Sequence, residues 1–242
     1  MAVSANTPRI AIVGAGFSGM CMAIKLKEAG IHSFTIFEKA DNVGGTWRDN
    51  TYPGVACDVP SHLYSFSFEP KSDWSRLYSE GAEIQGYCEH IARKYGLLDH
   101  VEYGCELTNS TYSDGNWQIE FKNGRTETVA FLVSGIGGLH VPNFPNIEGQ
   151  DTFGGVRFHS AQWNHGHDLT GKKVAVVGSA ASALQLIPEI VGKVASLDMY
   201  QRTPNWVMPR ENTYYSEAQK GKFKRFPLAA KLHRLMIYLG FE

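Results

Sequence analysis

The sequence predicts an α/β protein with two separate strand–turn–helix–strand openings. Two observations lead there. A β-branched run, RIAIV at residues 9–13, meets three glycines at once, Gly14, Gly16 and Gly19. The pattern restarts far down the chain, where KKVAVV (172–177) meets Gly178 and a run of small residues. A third observation gives the interval its character: over 101–134 short strands alternate with turn signals. The chain has 242 residues, 43% hydrophobic and 12% aromatic, which suffices for a buried core and is too apolar for a disordered chain. At roughly 150 residues per domain, that length holds one to two domains.

The elements follow in order. Met20 to Ala29 reads as a helix, with apolar Met22, Ala23 and Leu26 and a stop at Gly30. SFTIFE (33–38) is the second strand, which completes a βαβ unit. Residues 44–70 hold glycines, prolines and many aromatics with no clean period, and are expected to form a long ordered loop. Residues 82–95 have a helical pattern. Asp114-Gly115 and Asn123-Gly124 mark the turns of a β-meander across 101–134. FLVSGIGG (131–138) reads as a buried strand ending in glycines, and Pro142 and Pro145 mark a linker. Beyond it, Ala181 to Val191 is a helix that Pro188 is expected to kink or shorten. SLDMYQR (196–202) is the next strand. Leu228, Leu232, Leu235, Met236 and Leu239 then recur at helical spacing beside the basic Lys220, Lys222, Lys224 and Arg225. The expected organisation is a first domain over 1–138, a linker over 139–170 and the first part of a second domain over 171–242.

Composition excludes several function classes. Lys+Arg 23 against Asp+Glu 24 leaves a net charge of -1, so no global positive field attracts nucleic acid. The longest apolar runs fall far below the roughly 18 residues of a membrane span, so no transmembrane segment is expected. MAVSANTPRI lacks a charged segment followed by an apolar one and does not read as a secretory signal. Cys21, Cys57, Cys88 and Cys105 are scattered, with no CxxC pair, and read as reduced thiols of a cytoplasmic protein with no metal site.

The glycine turns carry the chemistry. In Gly14-Ala15-Gly16-Phe17-Ser18-Gly19, the first glycine permits the tight turn. The second lets a pyrophosphate approach the backbone, and the third lets helix and strand pack closely. An acid for the ribose hydroxyls is expected about 20 residues on, and Glu38 stands at the end of the second strand. The second turn is Gly178-Ser179-Ala180-Ala181-Ser182-Ala183, with Ala180 and Ala183 in place of glycines. Its strand ends at Arg202, whose guanidinium suits the 2′-phosphate of NADP; an ordinary turn with a solvated arginine would look the same. Both openings therefore read as Rossmann-like. Two dinucleotide sites in one chain suggest an enzyme that passes hydride from NADPH to a flavin, with FAD at the first turn.

Residues 153–163, FGGVRFHSAQW, lie between the two turns and supply Phe153, Gly155, His159 and Trp163. This stretch resembles the FxGxxxHxxxW fingerprint of Baeyer–Villiger monooxygenases. Gly44-Gly45-Thr46-Trp47, Tyr52-Pro53-Gly54-Val55-Ala56-Cys57-Asp58 and Gln201-Arg202-Thr203-Pro204-Asn205-Trp206 are similar to that family as well. The resemblance implies FAD contacts from Ser18, Glu38, Thr46, Trp47, Asp58, Tyr64 and Leu107. It places Ala56, Cys57 and Asp58 toward the nicotinamide, and the 178–183 turn with Arg202 and Thr203 on the NADP phosphates. It gives His159 a role in organising the linker. It implies that NADPH reduces FAD and that one atom of O2 enters beside the carbonyl of a ketone, giving an ester or lactone. Asp58 would position a catalytic arginine that has no match in these residues. Family members run to roughly twice this length, so a truncated chain with a β-meander-bearing FAD domain and a partial NADP domain is expected. Two alternatives stay open. One is oxygenation of another soft nucleophile at nitrogen or sulfur; the other is a nucleotide-binding remnant without turnover.

Overall fold

The structure is a computed structural model in which residues 8–240 are described. They form two compact units. One joins the residues up to Asp49 with Gln85–Val141; the other joins Asn50–Ile84 with the residues from Pro142 on.

The first unit is built on β1 (Ile10–Val13), α1 (Phe17–Glu28) and β2 (Phe34–Phe37). It continues with α2 (Thr46–Asp49), most of α3 (Gly81–Lys94) and β3 (Val101–Glu102). β4 (Leu107–Ser113), β5 (Asn116–Phe121), β6 (Thr126–Val129) and β7 (Phe131–Ser134) complete it. Strands β3, β2, β1 and β7 form a parallel sheet in that order. Parallel neighbours need a crossover, and α1 supplies the first. It begins at Phe17 rather than Met20, because Gly16 already acts as its N-cap. It ends in a Schellman motif: Gly30, at φ +75°, donates its N–H to the Lys27 carbonyl, and Ile31 donates to that of Leu26.

Strands β4, β5 and β6 make the antiparallel meander. Its first turn has Asp114 and Gly115 both at positive φ, as a two-residue type I′ hairpin requires. The meander is shorter than the 101–134 stretch suggested, because β3 and β7 join the parallel sheet instead. Periodicity marks a strand but not the sheet it joins. The core between sheet and meander holds Ala11, Phe37, Cys105, Ile119, Phe121 and Val129. The opposite residues of β1 face α1, where Ile12 lies against Gly19. One expectation is corrected here. FLVSGIGG is not a buried strand: β7 covers four residues at the sheet edge, and Phe131 is 56% exposed. The run is apolar enough to be buried, but among the described residues only β1 pairs with it.

The second unit has β8 (Lys173–Val177) parallel to β9 (Ser196–Tyr200), with α4 (Ala181–Ile190) between them in sequence. Pro188 lies inside α4 and does not end it. Tyr52, Leu186 and Ile190 form its core, with Val55, Trp163, Leu169, Val174 and Leu197 packed against them. A helical pair follows, α5 (Glu217–Arg225) and α6 (Pro227–Leu239). Ser216 and Gln219 close α5 with a reciprocal capping box, and a proline opens α6. The 44–70 segment is irregular, as expected, apart from the single turn of α2. The architecture is α/β, with a Rossmann-like opening in each unit. No helix among the described residues is long and apolar enough to cross a membrane. All four cysteines are free thiols.

Candidate functional site

Backbone approach shapes the first glycine turn. Gly14 sits at φ +98°, and a Cβ there would lie 2.6 Å from the Gly135 carbonyl oxygen. A Cβ on Gly19 would lie 1.9 Å from the Gly14 oxygen. Both glycines are required by the fold itself. Gly16 differs: its φ is an ordinary −83°, and a Cβ would meet only Gly45 Cα at 3.8 Å. The protein leaves the space over Gly16 open. No side chain caps α1, and its first turn, which includes Phe17 and Ser18, carries no acid. A helix end of that kind favours an anion.

Glu38 follows β2 directly and is buried. One carboxylate oxygen accepts the Ala15 N–H at 2.8 Å; the other takes the Ala40 N–H at 3.0 Å and the Arg48 guanidinium at 3.1 Å. These contacts use three of a carboxylate's roughly four acceptor sites. One remains on the oxygen that faces the turn, which suits a hydroxyl. Gly44 donates its N–H to the Ala15 carbonyl at 2.9 Å, which brings Gly45 beside Gly16, and Thr46 and Trp47 open α2 directly after it. Leu107 opens β4 and packs its side chain against the core beneath.

The second turn repeats this design in its own unit. Gly178 has φ +113°, and a Cβ there would meet no heavy atom within 4 Å. Its N–H donates to the Tyr200 carbonyl at 2.8 Å. Ala180 caps α4 without a side-chain bond, and Ser179, Ala181, Ser182 and Ala183 complete the turn with no acid in the first turn of the helix. Asn205 ties the segment after β9 back to the turn, donating to the Ser179 carbonyl at 2.7 Å. Arg202 and Thr203, between them in sequence, are exposed.

The 52–58 segment lies in the same unit and rests on α4. A Cβ on Gly54, at φ +79°, would come within 2.5 Å of the Gln185 carbonyl oxygen, so only glycine allows this approach. The Gln185 side chain then pins the segment. Its Oε1 accepts from Tyr52 Oη at 2.9 Å and from the Ala56 N–H at 3.2 Å. Its Nε2 donates to the Ala56 carbonyl at 2.9 Å and to Asp58 Oδ1 at 2.8 Å. Arg210 adds a longer contact, Nη1 to Asp58 Oδ1 at 3.4 Å, and lies over the Tyr78 ring. Burial pushes the Cys57 thiol up to about 11, with Asp58 adding to the rise, so Cys57 is a neutral thiol and no nucleophile at neutral pH. Burial also raises the Tyr52 phenol. Tyr64 sits apart in the tight turn after Pro60, to whose carbonyl its N–H donates. His159 Nδ1 accepts from the Ala161 N–H at 3.1 Å and caps a short 3-10 turn, while Trp163 packs into the core of the unit.

Within the first unit the structure gathers Gly14–Gly19, Glu38, Thr46 and Trp47. Within the second it gathers Ala56, Cys57 and Asp58 against α4, just past the 178–183 turn. Nothing in the sequence signals Arg48, Gln185 and Arg210, whereas Asn205 lies within the 201–206 stretch already singled out. Each of the former meets a residue that the sequence does single out, but no local pattern shows the pairing.

The fold and the paired turns define a class, and the chain belongs to the pyridine nucleotide-disulphide oxidoreductase family, whose profile matches residues 11–220. Particular relatives sharpen this. The chain is 46% identical to a Baeyer-Villiger monooxygenase of Pseudomonas aeruginosa, over 95% of its own length and 44% of that protein. Among solved structures, cyclohexanone monooxygenase bound to epsilon-caprolactone superposes with a TM-score of 0.84 at 34% identity, over 90% of this chain and 44% of that one. OTEMO in complex with FAD and NADP gives 0.85 at 30% identity, over 91% and 44%. The resemblance to Baeyer–Villiger monooxygenases thus extends over nearly all of this chain, which spans under half the length of those relatives.

Proposed function

We propose that this chain holds FAD at the first glycine turn and NADP(H) at the second, and serves an NADPH-dependent flavoprotein monooxygenase. Its substrate class is a ketone, converted with O2 to an ester or lactone. The observation that carries the reading is the pair of turns: one open at Gly16 beside a buried acid, the other followed by an exposed arginine. The ligands of similar structures support it, FAD and NADP in one and epsilon-caprolactone, a lactone, in another.

The residues present fit the cofactors. When bound, FAD supplies redox chemistry and reaction with O2, and NADPH supplies hydride. The 14–19 turn and the start of α1 would hold a pyrophosphate, and Glu38 would accept a ribose hydroxyl. Thr46, Trp47 and Tyr64 would contact the flavin, with Leu107 contributing its main chain. The 178–183 turn would hold the second pyrophosphate, and Arg202 with Thr203 the 2′-phosphate. Ala56, Cys57 and Asp58 would line the nicotinamide side, where Asp58 holds a fixed negative charge. In this reading residues 1–138 belong to the flavin domain, 139–170 to the linker and 171–242 to the nucleotide domain.

The test is direct. A protein in which this chain is joined to a C-terminal part like that of the relatives it matches should show flavin absorbance and oxidise NADPH in a ketone-dependent way, with ester or lactone formed per NADPH consumed. These 242 residues alone, which hold no match for the catalytic arginine, should give no coupled product. Absence of bound flavin in the extended protein, NADPH consumption there that a ketone never changes, or coupled product from the 242 residues alone would sink the reading.

A further inference from the structure

We propose that Gln185 is a positioning residue that sets the Asp58 carboxylate relative to the second glycine turn. This rests on the functional reading above and adds a residue to it.

Gln185 stands on α4 two residues past Ala183, so it is carried by the same helix whose N-terminus forms the turn. Its amide makes four hydrogen bonds, to Tyr52, to both polar groups of Ala56 and to Asp58. An amide has two acceptor sites and two donors, so it is fully satisfied. The orientation is also unique. Flipping the group would set its NH2 against the Ala56 N–H and its oxygen against both the Ala56 carbonyl and the Asp58 carboxylate. Gly54 seats the segment on the Gln185 backbone, and the side chain locks it in register. Helix, turn and carboxylate thus move as one piece, whereas Arg210 reaches Asp58 at a longer distance and from an exposed position.

The consequence concerns charge. Oxidised NADP carries a positive nicotinamide ring and the reduced form does not. A carboxylate held at a fixed place beside the ring favours the oxidised form, and one that wanders does so less. Gln185 should therefore act on the ratio of the two affinities and not merely on their size.

The experiment compares Gln185→Met, which keeps the volume and loses all four bonds, with Gln185→Glu. The second keeps an acceptor for Tyr52 and Ala56 but replaces the donor to Asp58 with a like charge. Both are made in the wild type and in Asp58→Asn. NADP+ and NADPH affinities are measured by titration, and hydrogen exchange is followed across residues 52–60. In the wild-type background each variant should cut the preference for NADP+ over NADPH by about fivefold, and in Asp58→Asn by less than about twofold, since residues acting through one another are not additive. Exchange of the Ala56 amide should rise while β8 and β9 stay protected. Equal weakening of both coenzymes, or the same effect with and without Asp58, would overturn the proposal. If the wild type binds neither nucleotide, the functional reading fails by itself. Exchange then decides the clamp: selective loosening of 52–60 supports it, and unchanged exchange refutes it.

Discussion

Gly14, Gly16 and Gly19 have the same side chain and three different reasons for it. At Gly14 and Gly19 an added methyl collides with backbone, 2.6 and 1.9 Å from carbonyl oxygens. Gly19→Ala must shift α1 against β1, a form of overpacking that costs about 1–3 kcal/mol. At Gly16 the methyl finds room, so Gly16→Ala should lower the unfolding free energy by about 1 kcal/mol or less, the scale of a helix-cap substitution. Its effect should fall on ligand binding instead. Flavin retention and urea midpoints, measured side by side, check this: Gly16→Ala loses flavin but keeps its midpoint, and Gly19→Ala loses both. The turn was legible in the sequence because glycine spacing, the strand before it and the acid after it are all local signals. Arg48, Gln185 and Arg210 were not. Gln185 meets Ala56 across 129 residues and Arg210 meets Cys57 across 153, separations at which spacing carries no information.

At the scale of elements, the strand–turn–helix openings were readable because hydrophobic period and glycine punctuation agree. The assignment of β3 and β7 to the parallel sheet was not, since pairing partners are chosen by the whole fold. The end of β9 gives a prediction. Arg202 is exposed just after the strand, with Asn205 tying the segment to the glycine turn. A charge-assisted bond contributes about 1.5–3 kcal/mol, so Arg202→Ala should lower the NADPH-over-NADH preference by roughly 10- to 100-fold. Affinities for both coenzymes measure it, and equal loss would assign Arg202 a structural role. The α5–α6 pair gives another. His62 is 3% exposed and is packed edge-on by Tyr215, Phe223 and His233, with no partner for Nε2 among the described residues. Burial holds its pKa down to about 4, and His233, Arg234 and Lys71 add to the effect. The unfolded chain therefore takes up a proton near pH 6.5 that the folded one refuses until about pH 4. Stability is full above that window and falls as pH drops through it, by about 2 kcal/mol between pH 7 and pH 5. Burial lowers the His233 pKa too, with the same sign. Urea midpoints at the two pH values should converge in His62→Phe, and an unchanged pH dependence would exclude His62 as its source.

For the molecule as a whole, the decisive feature is apolar surface without a cover. Among the described residues β7 pairs on one edge only and leaves the other edge of the parallel sheet open. The residues that follow it are exposed too, Leu139 by 97%. On α6, Leu228, Leu232, Leu235, Met236 and Leu239 recur along one stripe and are all exposed. Monomeric proteins rarely present contiguous apolar patches beyond a few hundred Å², and an unpaired strand edge invites pairing with another chain. Expressed as these 242 residues, the protein should therefore self-associate and bind a dye specific for exposed apolar surface. Two variants separate the sources. Phe131→Lys places a charge on the open edge strand, a device that natural sheets use against such pairing. Leu232→Lys with Leu235→Lys breaks the α6 stripe without touching a buried residue. Light scattering after size exclusion should show each variant shifting the population toward monomer, with the combination shifting it most. A wild-type chain that elutes as a monomer and binds no dye would overturn this prediction.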